Sequence, residues 1–326
     1  MSTYIIRRLL YAIPILIGVN LLTFALFFMV NSPDEMARAQ LGDKYVTQQT
    51  IDLWKEQNGY DNPLFFNNQA EGREQFTRTI FFQKTLRLFI FDFGRSESGR
   101  DITSDVSQRM WPSLYLALPT FLIGLWINIC TALLVVLFRN TGIEKTFVVL
   151  FVVLMSVSYL FYIIAGQYMA ARLWQLVPVS GFQYGWSSIK FLILPVIIGV
   201  LSGIGAGARL YRTLFLVEAE QEYARTAKAK GVGELSVLFK HILPNTMIPI
   251  LTNVVTVIPM LFMGSLIMES FFGIPGLGSY TIDALRSQDF AIVRAMVFIG
   301  SVLYIVGLIL TDISYTLVDP RVRLDG

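Results

Sequence analysis

Six long apolar runs dominate this chain, at 9–30, 113–138, 147–171, 191–208, 246–268 and 291–317. A helix needs about 20 mostly apolar residues to cross the hydrocarbon core of a bilayer. In lipid every backbone N–H and C=O must find a partner within the protein, so such runs are confined to helices. The sequence therefore predicts an all-α, polytopic membrane protein with six transmembrane helices. Composition agrees, since 54% of the 326 residues are apolar and only 15% charged, against about 25% charged in soluble domains. Pro14, Pro119, Pro195, Pro249 and Pro259 fall inside the runs, where neighbouring helices or water re-satisfy the freed carbonyls. The first run follows Arg7 and Arg8 in the manner of a signal peptide. It exceeds the roughly 7–15 apolar residues of a signal core, and no small-residue cleavage site follows, so a retained helix is expected.

Orientation comes from Lys and Arg in the short loops. One side collects Arg7, Arg8, Arg139, Lys145, Arg209, Arg212, Arg225, Lys228, Lys230, Lys240, Arg321 and Arg323. The other collects only Arg172, Lys190, Arg286 and Arg294. The richer side is cytoplasmic, which places both termini there. Residues 1–30 then form the first transmembrane helix, 31–110 a long outer loop region between helices 1 and 2, and 111–326 a five-helix core carrying the cytoplasmic segment 218–244. Within the outer region, VTQQTIDLWKEQNGY reads as a helix capped by Thr47 or Thr50 and stopped at Asn58-Gly59. TIFFQKTLRLFIFDFG is expected to lie amphipathically along the interface. Trp174 and Trp186 suit an interfacial belt in the second outer loop.

The segment EAEQEYARTAKAKGVGELSVLFKHILP, Glu218 to Pro244, is charged and Ala-rich between two oily runs. Its first limb, to Lys230, is built of good helix formers. Glu218, Glu220 and Glu222 stand early and Arg225, Lys228 and Lys230 late, the order that complements a helix dipole. Gly231 takes the place of a left-handed C-cap residue. A second helix follows Gly233, with Leu235, Leu238, Phe239 and Ile242 as its buried stripe, and Pro244 resets the chain before the next span. Ala224, Ala227 and Gly231 share one face, where small residues would let another protein approach the backbone. The residues alone leave two readings, a docking site for a cytosolic partner or an amphipathic loop on lipid headgroups. Against the second, the first limb lacks a Trp/Phe/Leu face.

The run Tyr223, Ala224, Arg225, Thr226, Ala227, Lys228, Ala229, Lys230, Gly231 through Pro244 resembles the coupling motif of ATP-binding-cassette importer permeases of the dipeptide/oligopeptide/nickel branch. The general motif has Glu-Ala-Ala where this chain has Arg225-Thr226-Ala227, the form usual in the peptide branch. Four further stretches are similar to that branch: YIIRRLLYAIPILIGVNLLTF at the start; Phe91-Asp92-Phe93-Gly94-Arg95-Ser96; Glu269 through Phe271-Phe272-Gly273-Ile274-Pro275-Gly276-Leu277-Gly278; and the tail Asp312 to Arg323. The resemblance implies a permease subunit in a bacterial inner membrane that imports peptides or peptide-like solutes and forms half of the translocation path. It implies as partners a second homologous permease, two cytosolic ATPases and an extracytoplasmic solute-binding protein. ATP and Mg would reside on the ATPases; no cofactor is expected on this chain, which has no GxxxxGK[ST] phosphate loop, and catalysis is not expected of it. Glu222, Tyr223, Ala224, Arg225, Ala227, Lys228, Lys230, Gly231 and Pro244 would meet an ATPase.

Polar residues inside the membrane are the default candidates for a path. Here they are Asn20, Asn128, Ser156, Ser158, Gln167, Asn253, Thr256 and Asp312, with Asn253 and Thr256, three apart after the polar segment, the best placed. An interhelical hydrogen bond is the plain alternative for each. Glu269 is a candidate outer gate, a contact for the binding protein, or simply an interfacial carboxylate. Pro275-Gly276 reads as a type II turn over the mouth. Cys130 and His241, the only Cys and His, offer no metal cluster, and nickel as cargo would favour more of both. A self-sufficient secondary transporter would want paired intramembrane charges or broken helices in matching halves, which the sequence does not display. No HExxH or GxSxG supports a membrane enzyme.

Overall fold

A computed structural model describes residues 2–30, 32–42 and 46–318; Arg321 and Arg323 lie outside the described residues. Among these the chain is helical, its only β feature an isolated antiparallel bridge between Arg95 and Asp101. The helices are long enough to make five apolar crossings, or six when one sharply bent pair is counted as a span. The chain contacts divide it into two compact units, one holding the residues up to Met110 with Ser279–Val306, the other holding Trp111–Gly278 with the segment after Gly307.

In the first unit, α1 (Ser2–Val30) is followed by α2 (Pro33–Leu41), α3 (Gln48–Asn58), α4 (Glu74–Thr77) and α5 (Ile80–Thr85). Local caps explain the starts of α2, α3 and α5, the last capped by Thr79. Ser32 and Glu35 form a reciprocal capping box on α2, and Thr47 caps α3, which Gly59 ends at φ 67°. Phe24 of α1, Met36, Ile51, Trp54, Tyr60 and Ile80 bury one core, in which Trp54 and Tyr60 stack at 5.5 Å. The described residues of the long region expected on the outer side are thus folded. TIFFQKTLRLFIFDFG is not one amphipathic helix: α5 tightens into a 3-10 turn over Leu86–Ile90, which ends where Phe91 turns left-handed at φ 58°.

The second unit takes up α6 (Ile102–Leu137) from Trp111 onward. The expected third span is broken. α7 (Gly142–Ser156) and α8 (Tyr159–Gly166, continued by a π-helical turn over Gln167–Leu173) meet at 88°. Val157 and Ser158 are extended there. Ser156 Oγ bonds back to the Val152 carbonyl, and Tyr162 donates across the bend to the Leu154 carbonyl at 2.8 Å. The fifth expected span is broken too. α12 (Leu243–Leu261) stops, and the chain turns at Gly264, φ 69°, before α13 (Leu266–Phe272). Broken helices, which the sequence hides, are therefore present, because an unbroken apolar run carries no mark of where its backbone leaves the helix.

α9 (Ile189–Ala219) is the spine of this unit and runs well beyond the apolar stretch ending at 208. At Gly205 a methyl would stand 2.8 Å from the Phe151 carbonyl oxygen, and at Gly207 it would overlap the Asn128 amide. Small residues let α7 and α6 close on α9, the packing that substitutes for a hydrophobic driving force in lipid. After α9 come α10 (Glu222–Ala229) and α11 (Glu234–Val237), which continues through a π turn at Leu238–Ile242 into α12. α14 (Leu277–Arg286) follows α13, and α15 (Phe290–Val318) closes the described chain.

Candidate functional site

The polar segment is an elbow with a shorter first limb than expected. Glu218 belongs to the last turn of α9, Glu220 is its C-cap, and Gln221 turns the chain into α10. Only Glu222 therefore occupies the first turn of α10. The two displaced acids sit at a helix C-terminus, where the dipole disfavours them, and each has found a partner. Glu220 accepts from Arg139 at 2.8 Å, and Glu218 accepts from the Tyr223 hydroxyl at 2.5 Å. Partial desolvation of an otherwise exposed ring, then the hydrogen bond to Glu218, pushes the Tyr223 phenol up to about 12. Arg212 pairs with Glu144, whose second oxygen accepts from the Asn140 backbone at 2.6 Å. These ion pairs tie the short 138–144 connection to the end of α9.

α10 ends in a Schellman arrangement. Gly231 N–H donates to the Lys228 carbonyl at 2.9 Å and Val232 N–H to the Ala227 carbonyl at 3.2 Å, with Gly231 at φ 78°. The side-chain faces differ from the sequence reading. Ala224 is 0% and Ala227 7% exposed, and both pack into a core with Leu133 and Val136 of α6, Tyr211 and Phe215 of α9, and Val237. Their small size seats α10 on its own chain; it does not open the backbone to another protein. Glu222, Tyr223, Arg225, Lys228, Lys230 and Gly231 are exposed, with Arg225 held against Glu222 at 3.3 Å.

The second limb is also rearranged. Val237, Leu238 and Ile242 are buried, whereas Leu235 and Phe239 are exposed. The π turn adds a residue to one turn and so breaks the 3.6-residue stripe. Pro244 does not reset the chain. It is exposed at the second position of α12, and helix runs from Glu234 to Leu261. Proline lacks the N–H of an i→i−4 bond and crowds the carbonyl four residues back; the π turn just before it provides the looser geometry. The result is a continuous rod from the elbow into the span.

The path candidates separate. Gln167 Nε2 donates to the Val179 and Phe271 carbonyls, both at 3.1 Å, pinning a loop and α13. Thr256 shares a 2.8 Å hydrogen bond with Thr311. Ser156 bonds back within its own helix, and Asn20 does the same to Leu16. Asn253 is exposed on α12. Glu269 is 0% exposed, its carboxylate between Gly264 and Gly276, where a methyl on either would overlap it. Its Oε1 accepts from Ser265 N–H at 3.1 Å. Pro275-Gly276 is not a type II turn. Gly276 lacks the positive φ that type demands; its N–H donates two residues back to the Ile274 carbonyl at 2.8 Å, an inverse γ-turn pattern. Leu277 N–H instead donates to Ser113 Oγ at 2.8 Å. The Ser113–Leu277 and Arg139–Glu220 pairings escaped the sequence reading because their partners lie far along the chain.

The fold is that of a multi-span membrane protein with a charged elbow packed on its own helices. The chain belongs to the family of binding-protein-dependent transport system inner membrane components, whose model matches residues 102–324, with the corresponding N-terminal model matching 1–87. It is a multi-pass inner-membrane permease of the ATP-binding-cassette importer class. It is 30% identical, over the full length of both chains, to a putative peptide transport system permease protein of Brucella abortus (strain 2308). Over 99% of each chain it is 27% identical to the dipeptide transport system permease protein DppB of Bacillus subtilis (strain 168) and to the glutathione transport system permease protein GsiC of Shigella flexneri serotype 5b.

Proposed function

We propose that this permease imports peptides or peptide-like solutes and couples to a cytosolic ATPase through 218–244. The carrying observation is the two-faced α10: Ala224 and Ala227 lock it to α6 and α9, while Glu222, Tyr223, Arg225, Lys228 and Lys230 remain at the surface. A docked helix with a free polar face transmits a push from a partner to the helices beneath, and the continuous helix from Glu234 to Leu261 extends that lever into the membrane. The complete importer comprises a second homologous permease, two ATPases carrying ATP and Mg, and an extracytoplasmic binding protein that selects the cargo. Asn253 faces the path. Similarity to peptide, dipeptide and glutathione permeases along the whole chain favours peptide cargo over nickel or another small solute.

The test is extraction of the chain from its native membrane with the charges of α10 reversed, Arg225→Glu with Lys228→Glu. The wild type brings down an ATPase and supports peptide uptake; the double variant inserts normally and loses both. Retention of ATPase and uptake by the variant would overturn the coupling assignment.

A further inference from the structure

Where the 83–95 stretch meets α15 lies a cationic cavity of about 150 Å³, lined among others by Lys84, Arg87, Arg95 and Arg294 with Asp92 as its only acid. Arg294 is 7% exposed, yet its Nη1 has no hydrogen-bond partner. Its Nε makes a long 3.4 Å bond to the Phe290 carbonyl. Leaving a buried guanidinium nitrogen unpaired is costly, and a site that tolerates this is built to receive an acceptor. The nearby acids outside the lining are committed elsewhere. Glu97 accepts from the Tyr60 hydroxyl and Asp289 from the Glu97 and Ile292 N–H groups, while Asp92, within the lining, lies 3.9 Å from Arg87 and leaves Lys84, Arg95 and Arg294 in excess. Lys84 lies over the Tyr60 ring at 4.8 Å. It donates to the Asn58 carbonyl at 2.5 Å, and burial, then the charge of Arg294, brings its ammonium down to about 8.

Beside the cavity, and sharing Gln83 and Arg87 with it, runs a crevice of about 380 Å³ walled by Phe82, Leu86 and Ile90. These three side chains are exposed. A cationic chamber joined to an open apolar crevice has the two-part chemistry of a phospholipid. We propose that the site binds an anionic phospholipid of the outer leaflet, its phosphate in the Arg294 cavity and the start of an acyl chain along Phe82, Leu86 and Ile90. A cavity of about 150 Å³ admits a benzene-sized guest, and hence a phosphate group. The fork of a guanidinium matches phosphate oxygens.

The full-length chain is extracted with its accompanying subunits, delipidated, and titrated with phosphatidylglycerol in neutral-lipid nanodiscs, bound lipid being counted by mass spectrometry. Wild-type protein retains phosphatidylglycerol above its bulk fraction. Arg294→Gln weakens retention roughly tenfold, the expected loss of one charge-assisted hydrogen bond. Because Arg294→Gln removes a buried group, Arg87→Gln with Arg95→Gln, at exposed positions, provides the second reading and weakens retention as well. Lys190→Gln, an outer cation elsewhere, leaves it unchanged. Inorganic phosphate and Ile90→Ser separate the two sources of the oxyanion: a lipid loses affinity in Ile90→Ser, whereas free phosphate does not. Equal retention by wild type and both Arg variants overturns the site. Binding of inorganic phosphate with no enrichment of phosphatidylglycerol overturns the lipid.

Discussion

Two residues of the elbow are constrained by different means, one by backbone conformation and one by volume. Gly231 stands at φ 78° with open space where a Cβ would point, so a substitution there is penalised by backbone conformation and by nothing else. Left-handed φ costs an L-residue roughly 1–2 kcal/mol, and a β-branched side chain does worse. Gly231→Val is expected to insert normally while losing substrate-stimulated ATPase and uptake together, because the α10 C-cap would open. Normal stimulation in that variant, measured in proteoliposomes, would show that the cap is not part of the lever. Ala224 is limited by volume instead. At 0% exposure among Leu133, Tyr211 and Phe215, it leaves no room for a larger group, and overpacking typically costs about 1–3 kcal/mol. Ala224→Leu should lift α10 from its seat, seen as faster proteolysis within 222–233 with the thermal stability of the membrane helices little changed. Gly231 was legible in the sequence because a charged helix-former run ends on it. The inward face of Ala224 was not, since a small residue looks the same whether it admits a partner or its own core.

Helices were legible wherever a run had both length and a cap: α3 with Thr47 and Gly59, α1 from its apolar length. What the sequence concealed is continuity. Hydropathy joins Phe147 to Ala171 and Thr246 to Met268, but the backbone breaks at Val157-Ser158 and around Gly264; conversely Pro244 suggested a break where helix continues. Each departure rests on a compensating hydrogen bond or a π turn that becomes visible only in three dimensions. The α7–α9 contact tests this level. A methyl at Gly205 would lie 2.8 Å from the Phe151 carbonyl oxygen and 3.1 Å from the Met155 nitrogen, both backbone atoms that cannot rotate away. Gly205→Ala is therefore expected to destabilise the extracted protein by about 1–3 kcal/mol, read as a lower thermal midpoint in detergent. An unchanged midpoint would mean that α7 slides on α9 at little cost.

The bent pair α7 and α8 decides the sidedness of everything that follows it. If the pair crosses the bilayer once, the chain has six spans, the elbow lies on the same side as the N-terminus, and the outer region lies opposite. If the pair instead dips in and returns, there are five spans, and the elbow with Arg225, Lys228 and Lys230 emerges outside. Electrostatics separates the two. The second arrangement puts the densest cluster of short-loop cations on the translocated side, against the positive-inside rule, and leaves the Trp174–Trp186 loop in the cytoplasm. Only the first reconciles charge with the 88° bend. Single cysteines introduced at Ser98, Ser187 and Lys230, all exposed positions, test it in a Cys130→Ala background, since Cys130 is itself a free, exposed thiol. A membrane-impermeant maleimide should label Ser98→Cys and Ser187→Cys in cells with a permeabilised outer envelope and an intact inner membrane. Lys230→Cys should react only after the inner membrane is opened. Labelling of Lys230→Cys from outside with protection of Ser187→Cys would make the bent pair re-entrant, and would remove the elbow from the reach of any cytosolic ATPase.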